Sequence, residues 1–152
     1  MKRIVAVFAA AVATAVLPVA TPAQTPAPAR SYRIIVNADN PVGLLSAYDL
    51  QRLFLRKTVA WSHNQQAVEP VDQAWSSPLR EAFAHEILKK DAASLSSYWQ
   101  GMIFAGKATP PPAETSDSDV IAYVRQHPNA IGYVSAGATL PADIKPVTIL
   151  RD

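Results

Sequence analysis

Apolar positions fall into runs of two different periods along the chain. Tyr32-Arg33-Ile34-Ile35-Val36-Asn37 is almost continuously β-branched and aromatic and ends in the turn-forming Ala38-Asp39-Asn40-Pro41. That pattern predicts a buried strand. Ser46-Ala47-Tyr48-Asp49 is a capping-box pattern, and Leu50, Leu53 and Phe54 then recur at helical spacing, so a helix of about ten residues starts at Ser46. Val68 to Val71 reads as a second short strand, held to a sheet edge or a strand end by Pro70. Ser76-Ser77-Pro78 predicts the next helix start, because proline at the first helical position gives up an amide that has no partner there anyway. This helix runs through Phe83, Ile87 and Leu88 to Lys89-Lys90, cations suited to its C-terminal end.

Asp91 caps the following helix, where Leu95, Tyr98, Trp99, Met102 and Ile103 form an apolar stripe that Gly106 ends. Thr109-Pro110-Pro111-Pro112 opens a rigid loop. Ser116-Asp117-Ser118-Asp119 is a second capping box, and Val120, Ile121, Tyr123 and Val124 supply the apolar face before His127-Pro128. Ala130 to Ser135 reads as a strand with a glycine inside it, and Val147 to Leu150 as the last strand. The order β-α-β-α-α-α-β-β predicts an α/β domain over 31–152 in which a sheet packs against helices.

The N-terminus has a different character. Met1-Lys2-Arg3 is a basic head, Ile4 to Leu17 is apolar apart from Thr14, and small residues follow Pro18. These are the parts of a secretory signal peptide, expected over 1–23 with cleavage after Ala23 or Ala20. The apolar run is shorter than the roughly 20 residues that span a bilayer. Residues 24–30 continue as a Pro/Ala-rich tether. The mature protein is therefore expected to be exported, periplasmic and without a membrane span.

Export changes the charge balance. The 152 residues carry 14 Lys plus Arg and 12 Asp plus Glu, for a formal charge of +2. Without Lys2 and Arg3 the basic and acidic residues are equal in number. The remaining cations are scattered, with no basic stripe interleaved with aromatics, so a nucleic-acid partner is not expected. The absence of cysteine excludes disulfides, thiolate metal sites and a cysteine nucleophile.

Candidate chemistry concentrates at the second helix start. Ser76 and Ser77 precede it, Arg80 sits in its first turn, and Gln73 lies just upstream. Free amides at a helix start favour anions, and the guanidinium fork of Arg matches phosphate or carboxylate oxygens. The alternative is that one serine caps the helix and Arg80 is a solvated surface charge. Trp75 either packs over the loop to fix its shape or walls a ligand site, whereas Trp61 and Trp99 belong to the core. His63, His85 and His127 have no metal-ligand spacing, so neither a metal nor a cofactor is expected. Ser76 and Ser77 lack a Gly-x-Ser-x-Gly turn, which argues against a serine hydrolase. Glu69 and Asp72, three apart on one strand, point to opposite faces and do not form a carboxylate pair.

Taken together, four segments resemble periplasmic phosphate-binding proteins, the substrate-binding components of phosphate ABC importers. Leu50-Gln51-Arg52-Leu53-Phe54-Leu55-Arg56-Lys57 through Trp61 is similar to that family's L-x-x-I-F-x-G-K…W segment. Val71 to Phe83 falls where the family binds its anion, Ala130 to Ser135 resembles its G-x-I-G-Y-V strand, and Ile34 to Asn37 its crossing strand. The resemblance spans about 32–136. It implies a type II periplasmic-binding-protein-like mixed sheet flanked by helices, shortened to about one lobe. It also implies a non-enzymatic solute-binding protein that takes phosphate or a similar small anion at Gln73, Ser76, Ser77 and Arg80, with an ABC permease or another envelope protein as partner. The alternative it leaves open is a ligand-free interaction or accessory module of the envelope on the same fold.

Two departures from the family pattern bear on affinity. Gln73 stands where the family has Arg, and Pro78-Leu79 follow Ser77 where it has Gly-Thr, so an amide and a hydroxyl are missing. The Gly/Ser-rich loop of the family's first lobe is also absent, with Asn40-Pro41-Val42-Gly43 as its candidate substitute.

Overall fold

The computed structural model describes residues 30–150. The expected signal peptide and all of the tether but its last residue lie outside them. Five strands form one sheet: β1 (Tyr32–Asn37), β2 (Leu44–Ser46), β3 (Glu69–Pro70), β6 (Ala130–Ser135) and β7 (Ile144–Leu150), in the order β2-β7-β1-β6-β3. β1 runs antiparallel to β6 and β7, while the two edge strands pair in parallel, β2 with β7 and β3 with β6. A second, two-stranded parallel sheet joins β4 (Asp72–Gln73) to β5 (Ala113–Glu114).

The helices are α1 (Ala47–Phe54), α2 (Pro78–Phe83), α3 (Ala92–Phe104) and α4 (Asp117–Gln126). Side chains alternate across a strand, so each central strand feeds two cores. Ile34 and Val36 of β1, with Ile131 and Tyr133 of β6, pack with Leu50, Phe54, Phe83 and Trp99 on the face covered by α1 to α3. Ile35, Ala130 and Val134 pack with Val120 and Val124 of α4 on the other face. A sheet buried on both sides explains why β1 and β6 read as nearly unbroken apolar runs. Gly132 faces α4, where a Cβ would lie 2.8 Å from both Val120 Cγ1 and Val71 Cγ1. Its missing side chain lets the helix sit this close to the sheet.

Both serines cap their helices, but each aspartate three residues on accepts from the serine hydroxyl rather than from its backbone amide, so only half of each capping box forms. Ser46 Oγ accepts from Asp49 N at 3.0 Å, and Ser116 Oγ accepts from Asp119 N at 3.1 Å. Asp91 caps α3 through Ser94 N at 2.7 Å. Bonds from Ser116 and Thr115 hold the Asp119 carboxyl below the usual range, and the Ser94 amide does the same for Asp91.

Two expectations are revised, and two strands are unexpected. The helix begun at Pro78 does not continue as regular α-helix to Lys89. It widens into a π-helical segment (Ala84–Leu88) and stops at Lys89, which has a φ of 54°. Gln51 Nε2 donates to the carbonyls of Ile87 and Leu88 there, satisfying acceptors that the helix end leaves open. Ile103 is half exposed, and Phe104 beside it is 89% exposed, because no described residue covers the last turn of α3. The strands β2 and β5 have two or three residues each, too few to show a period. Pro70 does sit in an edge strand, as its missing amide requires. Among the described residues no helix is long and apolar enough to cross a membrane.

Candidate functional site

The chain changes partner just after Pro70. Val71 N donates to Ile131 O on the β6 side, whereas Asp72 N and Ala74 N donate to Pro112 O and Glu114 O on the β5 side. This switch places Asp72 and Gln73 beside Tyr133 of β6. A turn closed by Ser77 N on Ala74 O, at 2.9 Å, then leads into α2. Pro78 occupies the first helical position, as expected, and Ser77 takes the cap position without a side-chain bond into the helix. Its hydroxyl is therefore not spent on capping.

Arg80 is not a solvated charge. It is 5% exposed, and its Nε donates to Asp72 Oδ2 at 2.9 Å. Asp72 Oδ1 accepts from the Tyr133 hydroxyl, and also from Gln73 N at 2.9 Å. Burial, followed by the Asp72 charge, raises the Tyr133 hydroxyl well above its ordinary pKa. Tyr133 thus stays a neutral donor across the physiological range.

Gln73 is 3% exposed, and its amide nitrogen donates to Asp117 Oδ1 at 3.0 Å and to Tyr133 O at 3.1 Å. Asp117 Oδ2 accepts from Ser135 N at 3.1 Å. Gln73 therefore ties β4, β6 and the start of α4 together, and both of its amide hydrogens are already engaged.

An open cleft of about 900 Å³ lies on the outer side of this network. Trp75, Ser76, Ser77, Arg80, His85 and Lys90 are among its lining residues, and Gln73 and the Asn40–Gly43 loop are not. Trp75 is 55% exposed, and its ring centre lies 3.6 Å from Arg80 Cζ. It covers the guanidinium and lines the cleft. Arg80 uses one of its five N–H donors on Asp72. Its two terminal nitrogens make no hydrogen bond among the described residues, although the side chain borders the cleft. The arrangement presents a nearly buried cation whose Nε is satisfied by Asp72 and whose terminal nitrogens have no partner among the described residues.

Of the four expected site residues, the structure brings Ser76, Ser77 and Arg80 to one cleft and sets Gln73 behind it. Sequence reasoning missed Asp72, Tyr133 and Asp117. In sequence Asp72 is weighed only as a partner for Glu69, and the structure sets the two on different strands, β3 and β4. Tyr133 and Asp117 carried no local signal. Among the described residues no three metal-ligating side chains converge.

The sequence matches no protein-family model and no curated protein. Solved structures do match. An ABC-type phosphate transport receptor from Vibrio cholerae superposes with a TM-score of 0.61 at 20% identity, covering 78% of this chain and 46% of that one. A phosphate-bound substrate-binding protein assigned to phosphate ABC transport in Clostridium perfringens gives 0.60 at 20%, covering 78% and 44%. PstS from Borrelia burgdorferi gives 0.59 at 12%, covering 78% and 47%. This is a periplasmic-binding-protein fold, at about one lobe. The chain spans less than half the length of these structures. In that fold the central sheet and α1 to α4 form the lobe, with the Arg80 cleft on its surface.

Proposed function

We propose that this protein is an exported, non-enzymatic solute-binding domain that takes phosphate or a similar small anion at the forked edge of Arg80, with the Ser76 and Ser77 hydroxyls as further donors. The observation that carries this reading is a nearly buried arginine that lines a cleft and whose terminal nitrogens have no partner among the described residues. Gln73 acts behind the site, holding the strand that carries Asp72. An ABC permease or another envelope protein is the expected partner.

Affinity is limited by chemistry already visible in the chain. Pro78 has no amide and Leu79 no hydroxyl, and a hydrogen bond to a charged group contributes roughly 1.5–3 kcal/mol. Two missing donors weaken an anion site by about two to four orders of magnitude. Asp72 also offsets much of the Arg80 charge.

Calorimetric titration of phosphate into the purified protein is expected to give saturable binding in the micromolar to millimolar range. Arg80→Lys keeps the charge but loses the fork, and should weaken it by about tenfold or more. Equal binding in that variant would remove Arg80 from the site.

A second reading has its own support. The Asp72 carboxylate already occupies one edge of Arg80 as an internal anion, which suits an accessory module that has given up its ligand. No phosphate binding at millimolar concentration would favour it.

A further inference from the structure

The cleft is much larger than the anion assigned to it. At about 30 Å³ for each water-sized volume, an inorganic oxyanion fills about a tenth of 900 Å³. Pockets of about 300–1,000 Å³ hold complete organic ligands. The walls also contain more than donors, since Pro78, Ala82, Ala84 and Ala92 line the cleft alongside Trp75. Trp75 itself is 55% exposed, with its ring centre 3.6 Å from Arg80 Cζ. Resting the guanidinium on the ring holds the indole in place.

The acidic residues set the charge of the ligand. Glu81, Glu86 and Asp91 line the same cleft as Arg80 and Lys90. Glu86 is engaged by Arg30 and by the Tyr32 hydroxyl, and Asp91 by Ser94 N, leaving Glu81 facing the cleft without a recorded partner among the described residues. A ligand with several negative charges would meet repulsion away from Arg80.

We infer that the ligand is an organic anion, with one phosphate or carboxylate head on the terminal nitrogens of Arg80 and a flat, largely apolar body against Trp75. The inference rests on the anion reading above and adds the body to the head. Arg80 fixes the head through its fork, and the indole supplies the rigid surface that a planar body covers.

Titrations with phenyl phosphate and benzoate, set against inorganic phosphate and acetate, test it. At least one ring-bearing anion should bind about tenfold more tightly than its bare head, with quenching of tryptophan fluorescence. Trp61 and Trp99 are buried, so the quenching should report Trp75. Trp75→Leu should abolish the quenching and bring the ring-bearing anion and its bare head to equal affinity, whatever its effect on inorganic phosphate itself. If inorganic phosphate binds as tightly as phenyl phosphate, the organic body is excluded and simple anion binding stands. If neither class binds, both readings fall. Ring-bearing anions that bind equally well to Arg80→Lys would place the body without the head and overturn the two-point assignment.

Discussion

Replacing Asp72 with alanine is expected to destabilise the fold by about 3–5 kcal/mol, the usual cost of stranding one member of a buried ion pair. Asp72 receives Arg80 Nε, the Tyr133 hydroxyl and the Gln73 amide. Its loss leaves Arg80, a residue only 5% exposed, without its counter-charge and deprives two further donors of an acceptor. Against a total stability of about 5–15 kcal/mol for a domain, that loss is severe. Urea unfolding should show a much lower midpoint, with the slope retained if the transition stays two-state. The partner variant separates charge from packing. Asp72→Ala combined with Arg80→Met removes both charges, and should recover a large part of the loss because the apolar stem is kept. A single variant as stable as the parent would mean that the pair is not buried in solution.

Phe83→Ala should cost a similar amount, about 3–5 kcal/mol, through transfer and cavity terms together. Phe83 is 1% exposed and stacks on Tyr133 with ring centres 4.1 Å apart and an interplanar angle of 11°. Its other neighbours are Phe54 at 4.8 Å and Tyr32 at 5.4 Å, both edge-on. One residue thus joins α1, α2, β1 and β6. Because Phe83 lies one turn after Arg80 and against the tyrosine that holds Asp72, the cavity should also loosen the site. Phe83→Leu retains most of the volume and should lose much less. Equal thermal denaturation midpoints for Phe83→Ala and the parent would show that this aromatic cluster does not carry the core.

The fold was legible wherever residue type and period agreed. β1 and β6 announced themselves as apolar runs because both of their faces are buried, and Ser46, Asp91 and Ser116 marked three helix starts by capping chemistry that depends only on neighbours in sequence. Pro70 and Pro78 each lack a backbone N–H to donate, and each sits where no such hydrogen bond is required. The short strands β2 and β5 were not legible, since their pairing is decided by β7 and β4 rather than by their own composition. The π-helical segment after Phe83 likewise depends on a distant glutamine, Gln51, that satisfies its last carbonyls.

The site was half legible. Ser77-Pro78 located the helix start, and Arg80 was the natural anion ligand, but its burial could not be read from spacing. Its partner lies eight residues away on a strand that changes sheets, and that switch is a tertiary event. Gln73 aligned with a ligand position, yet Asp117 and the Tyr133 carbonyl take its amide hydrogens, and neither is near it in sequence. Trp75 had two plausible roles because stacking on a cation and walling a cleft need the same exposed loop position.

The most direct test of the anion site is a two-dimensional ¹H–¹⁵N NMR titration of the labelled protein with inorganic phosphate at constant ionic strength, following the arginine side-chain Nε–H signals and the backbone amides. The Arg80 signal and the amides of Ser76 and Ser77 should shift saturably with one shared dissociation constant, while the Arg52 and Arg125 signals should not shift saturably. No saturable shift at Arg80 up to millimolar phosphate, or shifts confined to residues away from the cleft, would contradict the account.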